Sequence, residues 1–503
     1  MNKAVADYRT NLASLLLGIH SIPSQFDREI SDLTLDSRQA KPGSCFLSIG
    51  ASNKQTIDNM RDSAVRGSVV ILTDKDVAPG LNDVPVFVLQ DLGNRVGEIA
   101  ERFFKYPTND LRVCAVTGTN GKTTVSYLTA LAVRFLEGKC GYIGTLGAGE
   151  IMDLEETSHT TLDAVAIRRL LARFNSLGID CTNIEASSHG IVQGRLQALK
   201  FHSIAFTNLG HDHLDYHGTI ENYSASKIRL FEENRHQHVI LNADDPYSIG
   251  VYSKLTGDEM LWVCSSKQTT FSQKFSNLII AKNIEINSRE VVFDLFWNKK
   301  KIKVTSSLLG LFNVDNLLMV AATLFSLGYE FDSVGNCLQK FETIPGRMEL
   351  LGRTSAGSLV YLDYAHTPDS LSAILSAVQE LNPSQIFLVF GCGGDRDKTK
   401  RAPMGAVAEK LADKVFLTSD NPRYEDQMSI FSDIMADVTH KDKFVIEPDR
   451  EAAIRQAILF SQEGDYVVIA GKGHETTQSK NGIEYPFSDR AIASNFLQLG
   501  AIL

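Results

Sequence analysis

Long hydrophobic runs are missing from this sequence. The longest near the N-terminus, Leu12 to Ile19, is broken by Ser14 and Gly18 and carries no basic leader or cleavage site, so neither a signal peptide nor a membrane span is expected. Basic runs are missing too. Lys and Arg total 50 against 60 Asp and Glu, a formal charge of −10, and no basic helix is interleaved with aromatics, which argues against bulk nucleic-acid or membrane-surface binding. There is no C-x-x-C pair: Cys45, Cys114, Cys140, Cys181, Cys264, Cys337 and Cys392 are odd in number and scattered, the pattern of reduced thiols in a cytoplasmic protein. Repeats, low-complexity tracts and long stretches of low hydrophobicity are also absent, so the chain is expected to fold throughout.

What is present is a chain of 503 residues, longer than one core can serve, and three α/β domains are expected. Residues 1–108 contain short strand-like runs, Ser68 to Leu72 and Val84 to Leu89, between turn residues. A polar junction, Tyr106-Pro107-Thr108-Asn109-Asp110, precedes the buried-type strand Leu111 to Val116, which opens a central domain at 109–344. Within it, Ser203 to Thr207 and His238 to Asn242 read as strands of a parallel sheet. Leu278 to Thr305 reads as an antiparallel insertion, turning at Asn298-Lys299-Lys300 and covering one edge. After Pro345-Gly346 a Rossmann-like domain at 345–503 is expected, with strands Val360 to Tyr364, Gln385 to Phe390, Lys414 to Thr418 and Asp465 to Ala470. Each runs into a polar or Gly-rich loop, and ligands gather beyond the carboxyl ends of such strands.

The strongest motif is Val116-Thr117-Gly118-Thr119-Asn120-Gly121-Lys122-Thr123-Thr124, between a strand and a helix whose apolar positions Val125, Leu128, Ala132 and Phe135 are spaced for one buried face. Its glycines let backbone N–H groups face phosphate oxygens; Lys122 neutralises β/γ charge and the Thr123 hydroxyl suits Mg²⁺. Val116 stands where the common Walker form has Gly. Downstream, Ile184-Glu185-Ala186-Ser187-Ser188-His189 and Asn208-Leu209-Gly210-His211-Asp212-His213-Leu214-Asp215-Tyr216-His217 put acidic and imidazole groups into loops after strands. Phosphoryl transfer needs ligands of that kind; Glu185 and His213 are favoured, although periodicity alone does not choose among the histidines.

These stretches together resemble the Mur ligase family, and the resemblance extends over essentially the whole chain. It implies ATP bound at Gly118 to Thr124 with further nucleotide contacts at Asn313, Arg347 and Asp363, and two Mg²⁺ ions, one at Thr123 and Glu185 and one at His213. It also implies that Lys227, in Tyr223-Ser-Ala-Ser-Lys-Ile-Arg-Leu-Phe231, is carbamylated to N6-carboxylysine and acts with Lys122, Glu185 and His213. Without the resemblance, an ordinary solvated helix lysine is the better reading of Lys227.

Leu35-Asp36-Ser37-Arg38, Lys41-Pro42-Gly43 and Gly50-Ala51-Ser52-Asn53 resemble the uridine-diphosphate module of the dipeptide-extending branch, with Leu35 and Ser37 as contacts. By the same likeness Thr160, Thr161, Ser187, Gln193 and Arg195 hold a muramoyl dipeptide, UDP-N-acetylmuramoyl-L-alanyl-D-glutamate, and Arg195 is the anionic anchor. Arg396, Asp420, Asn421, Pro422, Arg423, Gly471 and Glu475 are implied to take the incoming amino acid. Asp420-Asn421-Pro422-Arg423 is similar to a diaminopimelate-type signature, and Arg423 can grip a distal carboxylate that lysine lacks. His159 stands where the family usually has Asn, Leu162 where it usually has Pro, and Gly210-His211 replaces a more polar pair; these departures bear on local contacts, not on reaction class.

The resemblance therefore implies a monomeric ATP-dependent amide-bond ligase of the cytoplasm, working through an acyl phosphate with domain closure, in peptidoglycan precursor synthesis. Against it stand a lysine-adding or folylpolyglutamate-type ligase, and a phosphate-loop NTPase serving as a switch. Gly391 to Gly394 lacks the G-x-G-x-x-G spacing of a dinucleotide-binding dehydrogenase.

Overall fold

The computed structural model describes residues 8–50, 52–81, 83–267, 275–287 and 290–500, with the side chains of 498–500 excepted. Ala51 of the uridine-module stretch lies outside the described residues, as do the other undescribed positions to which the expectation of folding throughout applies. Among them, no helix is long and apolar enough to cross a membrane.

Three sheets organise the chain. The first is parallel and four-stranded, in the order Asp32–Thr34, Ser44–Ser48, Val70–Thr73 and Val86–Val88. It docks on the second unit through the helix Ala164–Ser176, whose Ala164, Val165 and Ala172 join the N-terminal core. At that seam the fully buried Arg168 pairs with Glu101 at 3.3 Å and donates to the carbonyl of Arg195 at 3.0 Å and to that of Gln197.

The second sheet has eleven strands, and its seven central members, from Gly141–Gly144 to Asn277–Ile286, run parallel. The expected antiparallel segment is real, but it extends the sheet instead of covering an edge: Val291–Trp297 and Lys300–Ser306 pair onward from Asn277–Ile286. Its hairpin turns at Asn298 and Lys299, both with positive φ (47° and 66°), the conformation whose twist matches that of the flanking strands. An antiparallel hairpin, Gly147–Glu150 with Asp153–Glu155, ends the opposite side; its glycine-rich strand carries no periodicity to reveal it.

The helix Lys122–Glu137 buries Val125, Leu128 and Ala132 as its spacing predicts, yet Phe135 is 45% exposed. The reason is that this helix lies between the sheet and the helix Leu311–Ser326. It therefore buries Thr129, Ala130 and Val133 as well, while its last turn emerges to solvent, where Lys340 covers the Phe135 ring at 5.8 Å.

The third sheet runs Glu349–Arg353, Leu359–Asp363, Tyr466–Ala470, Ile386–Phe390, Lys414–Leu417 and Phe444–Ile446, with only the first pair antiparallel. Near-continuous apolar strands such as Ile386–Phe390 are buried throughout, as a sheet covered on both faces requires. Its strand ends are tied by Arg450, which forms a two-point ion pair with Asp489 at 2.8 and 2.7 Å and donates to the carbonyls of Ser419 at 3.1 Å and Ala470 at 2.9 Å. Both partners are wholly buried. Arg450→Met leaves a buried carboxylate alone and is expected to destabilise this sheet by about 3–5 kcal/mol, read as faster hydrogen exchange of the Tyr466–Ala470 amides; adding Asp489→Leu should recover most of the loss.

Candidate active site

The phosphate loop is curled because two of its glycines stand where no side chain fits. A Cβ on Gly118 (φ +146°) would lie 1.9 Å from Thr207 Oγ1, and one on Gly121 (φ +82°) 2.6 Å from Asn316 Oδ1. The loop is braced by the next strand end: Thr119 N donates to the Asn208 carbonyl at 2.8 Å and Asn120 N to Asn208 Oδ1 at 2.9 Å. Lys122 folds back, its Nζ donating to the carbonyls of Gly118 at 2.9 Å and Thr119 at 2.8 Å. Burial pulls its pKa down against the pull of Glu185 and Asp212.

Behind the loop, Thr123 Oγ1 donates to Glu185 Oε2 at 2.9 Å and accepts from Arg347 Nη2 at 3.1 Å. Glu185 is fully buried and also accepts from Thr145 N at 2.9 Å, Thr145 Oγ1 at 3.0 Å and the Tyr142 hydroxyl. Tyr142 and Thr145 carry no motif, and sequence reasoning missed them; they are found only because parallel strands bring Gly141–Gly144 beside Cys181–Glu185.

The histidines separate into distinct roles. His189, His213 and His217 form a ring cluster with Tyr216 and Tyr223, His189 and His213 having centroids 4.8 Å apart. His211 stands exposed, offering only its backbone N–H to Asp369 Oδ2 at 3.1 Å. His213 Nε2 lies 3.3 Å from Asp212 Oδ2, and burial holds its pKa down at about 3, outweighing Asp212. Burial pushes the Asp212 carboxyl up, but His366, His213 and Lys400 outweigh it and hold the group well below the carboxylate range. His366 Nε2 and Lys400 Nζ, each 3.7 Å from Asp212, arrive from the third sheet's side and had no assigned role in the sequence.

Lys227 is not a solvated lysine. It is 1% exposed, its Nζ donates to the Gly118 carbonyl at 2.8 Å and sits 4.4 Å from the Tyr223 ring centroid, and no carboxylate of the described residues forms an ion pair with it. Burial first, then Lys122, drives its pKa well below the ordinary value.

These groups face a cleft of about 520 Å³ between the second and third sheets. The phosphate loop forms one wall, and Asp363, Tyr364 and Asp369 part of the other. Asp363 accepts from Met348 N and Ala365 N, both at 2.7 Å, and burial pushes its pKa up. Arg347 lies 4.5 Å over the Tyr364 ring. Asn313 is placed differently from the other expected nucleotide contacts: its amide donates to the Leu309 carbonyl at 2.8 Å and accepts from Asn316 Nδ2 at 3.1 Å, while Phe312, Asp315 and Asn316 line the cleft.

The residues expected to hold the dipeptide adjoin this cleft as one groove. Thr161 Oγ1 donates to the Glu185 carbonyl at 2.7 Å and accepts from Ser187 N at 3.0 Å, and Thr160 Oγ1 is 3.1 Å from Thr145 Oγ1. Arg195 is steadied by Gln193 Oε1 at 3.1 and 2.6 Å. Thr160 and Ser187 also line the nucleotide cleft, so groove and cleft are continuous. His159 is exposed beside Ser158 Oγ at 2.8 Å, and Leu162 packs against the central core. Leu35 and Ser37 lie beyond this groove, in the loop after the strand Asp32–Thr34, where Asp36 caps Arg38 N at 3.0 Å.

The third cluster sits at the ends of the last sheet. Asn421 Nδ2 donates to Glu475 Oε2 at 3.0 Å, Arg423 Nη1 to the Gly394 carbonyl at 2.7 Å, and Arg396 is exposed. Asp420 and Gly471 meet closely: a Cβ on Gly471 (φ +112°) would lie 2.8 Å from Asp420 Oδ2. Buried Pro422 sets the turn into Arg423, whose φ is +53°. His474 packs on Tyr364 with ring centroids 5.4 Å apart, which places this cluster next to the cleft across two aromatic rings.

Residues 116–324 match the Mur ligase middle domain, and residues 346–473 the Mur ligase glutamate ligase domain. A Xylella fastidiosa protein named UDP-N-acetylmuramoyl-L-alanyl-D-glutamate--2,6-diaminopimelate ligase is 36% identical over 479 residues, 95% of each chain. Its namesake in Haemophilus influenzae is 37% identical over 480 residues, 94% of this chain and 97% of that one. A solved structure of a ligase of that name aligns at TM-score 0.68 and 31% identity, covering 98% of this chain and 99% of that one. A MurF ligase of Thermotoga maritima in complex with ADP shares the fold at TM-score 0.63 and 13% identity, covering 95% and 99%. Likeness over nearly the whole length, in sequence as well as in fold, makes this chain a member of the Mur ligase family.

Proposed function

We propose that this chain ligates meso-2,6-diaminopimelate to UDP-N-acetylmuramoyl-L-alanyl-D-glutamate with ATP, as its relatives' names describe. The observation that carries the proposal is the continuity of three sites: Thr160 and Ser187 of the dipeptide groove line the phosphate-loop cleft, and Tyr364 with His474 joins that cleft to the Asn421–Glu475 cluster. A carboxylate in the groove can thus meet a γ-phosphate on one side and an amine on the other. A cytoplasmic monomer drawing on ATP and a nucleotide-linked sugar belongs to the same reading.

In the first step a carboxylate oxygen of the dipeptide attacks the γ-phosphorus, the bond to the bridging oxygen breaks, and ADP leaves. Lys122 swings from the Gly118 and Thr119 carbonyls to the β- and γ-phosphates, and Arg347 steadies the transferring group from the far wall. In the second step the amine attacks the acyl carbon, phosphate departs, and the nitrogen loses its proton. Arg195 holds the dipeptide, and Arg423, Arg396, Asn421 and Glu475 hold the diaminopimelate for that attack.

The donors fit Mg²⁺. Among the described residues no three His, Cys, Asp or Glu side chains converge on a metal site, but Mg²⁺ is commonly held by one or two carboxylates plus substrate phosphates. Thr123 and Glu185, buried oxygen donors in contact, match that description, and His213, kept neutral by burial, suits a second position. When bound, the metal neutralises triphosphate charge and polarises the phosphoryl group. Lys227 meets the requirement for a carbamate: burial lowers the pKa of its amine, which eases loss of the proton that must leave before it can attack CO₂, and the product is a carboxylate-like oxygen donor.

ADP release is expected only when the UDP-muramoyl dipeptide and meso-diaminopimelate are both supplied, with a tripeptide product by mass. Hydrolysis of ATP regardless of either substrate, without product, would make the chain a nucleotide switch instead; product formed equally well with lysine would make it a broader ligase. Lys122→Ala is expected to lower turnover on the order of 10²-fold or more. Protein equilibrated with ¹³C-bicarbonate should show a carbamate carbon resonance that Lys227→Ala abolishes together with activity; an unlabelled, fully active wild type would remove Lys227 from the chemistry. Arg423→Ala is expected to lose a wild-type preference for diaminopimelate over lysine on the order of 10⁴-fold, and an unchanged ratio would clear this residue of a role in selection.

A further inference from the structure

Between the strand Tyr466–Ala470 and Glu475 the chain passes through Gly471-Lys472-Gly473, with φ of +112° and +53° at the two glycines. A Cβ on the first would meet Asp420 Oδ2 at 2.8 Å, and one on the second Tyr364 Cβ at 2.8 Å and the Gly346 carbonyl at 3.0 Å. Only glycine fits on either side, and the backbone so pressed turns Lys472 inward until it is 0% exposed. A lysine is rarely buried unless paired, and this one has two partners. Its Nζ donates to Glu475 Oε2 at 2.8 Å and to Asn421 Oδ1 at 3.1 Å.

The second contact decides what Asn421 can do. Its Oδ1 also accepts from Ser479 N at 2.9 Å, so both lone pairs of the amide oxygen are filled. Turning the amide over would set an NH₂ against an ammonium and a backbone N–H, two donor–donor clashes, so the orientation follows from chemistry. Asn421 is left with Nδ2 alone, one hydrogen of which goes to Glu475 Oε2 at 3.0 Å. The other can only donate. Glu475, with Oε2 engaged by a buried cation, keeps its remaining oxygen as an acceptor.

We propose that Lys472 is a positioning residue that fixes the polarity of the amino-acid pocket. It holds Asn421 as a donor and Glu475 as an acceptor, so that the pocket takes a side chain ending in a carboxylate beside an ammonium and rejects one ending in a carboxamide. The inference rests on the reading of this cluster as the site of the incoming diamino acid. Lys472 itself, wholly enclosed, touches no substrate; it acts through two neighbours. The guanidiniums of Arg396 and Arg423 add charge to the donor side, but charge alone discriminates a carboxylate from a carboxamide without setting which atom of Asn421 faces it.

The test compares kcat/KM for meso-diaminopimelate with that for its distal monoamide in the full chain, at saturating ATP and UDP-muramoyl dipeptide. Wild type is expected to prefer the free acid on the order of 10²-fold, the cost of facing a donor with a donor. Lys472→Met should cut that preference at least ~10-fold and raise KM for diaminopimelate by a similar factor, with KM for ATP unchanged, since Glu475 loses its ammonium partner and the Asn421 oxygen keeps only the Ser479 N–H to hold it. Loss of kcat on both amino acids alike, with the ratio preserved, would make Lys472 merely structural and overturn the proposal. Should Lys472→Met fail to fold, the near-isosteric Asn421→Asp carries the test: with one oxygen held by Lys472, the other becomes an acceptor, and the preference should invert toward the monoamide. A preference that stays with the free acid overturns the proposal. Wild type that ligates neither compound but accepts another amino acid would instead defeat the diaminopimelate reading itself.

Discussion

A carboxylate cannot approach a triphosphate unless the repulsion between them is cancelled on the spot, and a chain of net charge −10 has no general surplus of cations to do it. Positive charge has to be brought into one cleft and kept there without collapsing onto the acidic residues around it. Backbone N–H groups of the phosphate loop supply part of it. The rest comes from side chains held by partners that can release or share them: Lys122 rests on two carbonyls, and Arg347 on Thr123 and the face of Tyr364. Because these groups belong to two different sheets, the meeting of the second and third units completes the charge pattern.

Three lysines near these sites show how burial sorts one residue type into different tasks. Lys122, enclosed, leans on two carbonyl oxygens that it exchanges for phosphates in the proposed reaction. Lys227 has a single carbonyl partner and a second lysine nearby, so its charge is disfavoured and its amine suits chemistry. Lys472 has a carboxylate and an amide oxygen within reach, so its charge is matched and its geometry is locked. The difference lies in what each ammonium can touch, which composition does not disclose.

Much of the fold was legible because its signals are local. Apolar strands ending in polar loops marked four strands of the last sheet to within a residue or two, and strand, glycine turn and helix marked the phosphate loop. What stayed hidden depends on pairing over long range. The partners of Glu185, Tyr142 and Thr145, sit on a neighbouring strand and in the turn after it, some forty residues away. Phe135 emerges since its helix is covered on two sides by elements that spacing alone does not show. At Asn313 and Asn316 a shared helix puts both amides near the cleft, and only the fold shows that the second, not the first, faces it. Lys472 looked like one residue of a glycine-rich loop until its two neighbours turned it inward.

The account turns on phosphoryl transfer to the dipeptide carboxylate before any amide forms. Substrate with both oxygens of the reacting carboxylate replaced by ¹⁸O tests this directly, with phosphate analysed by mass after ligation. One ¹⁸O per product should appear in the released phosphate, because the attacking oxygen leaves with the phosphorus. Tripeptide formed with unlabelled phosphate would contradict the mechanism.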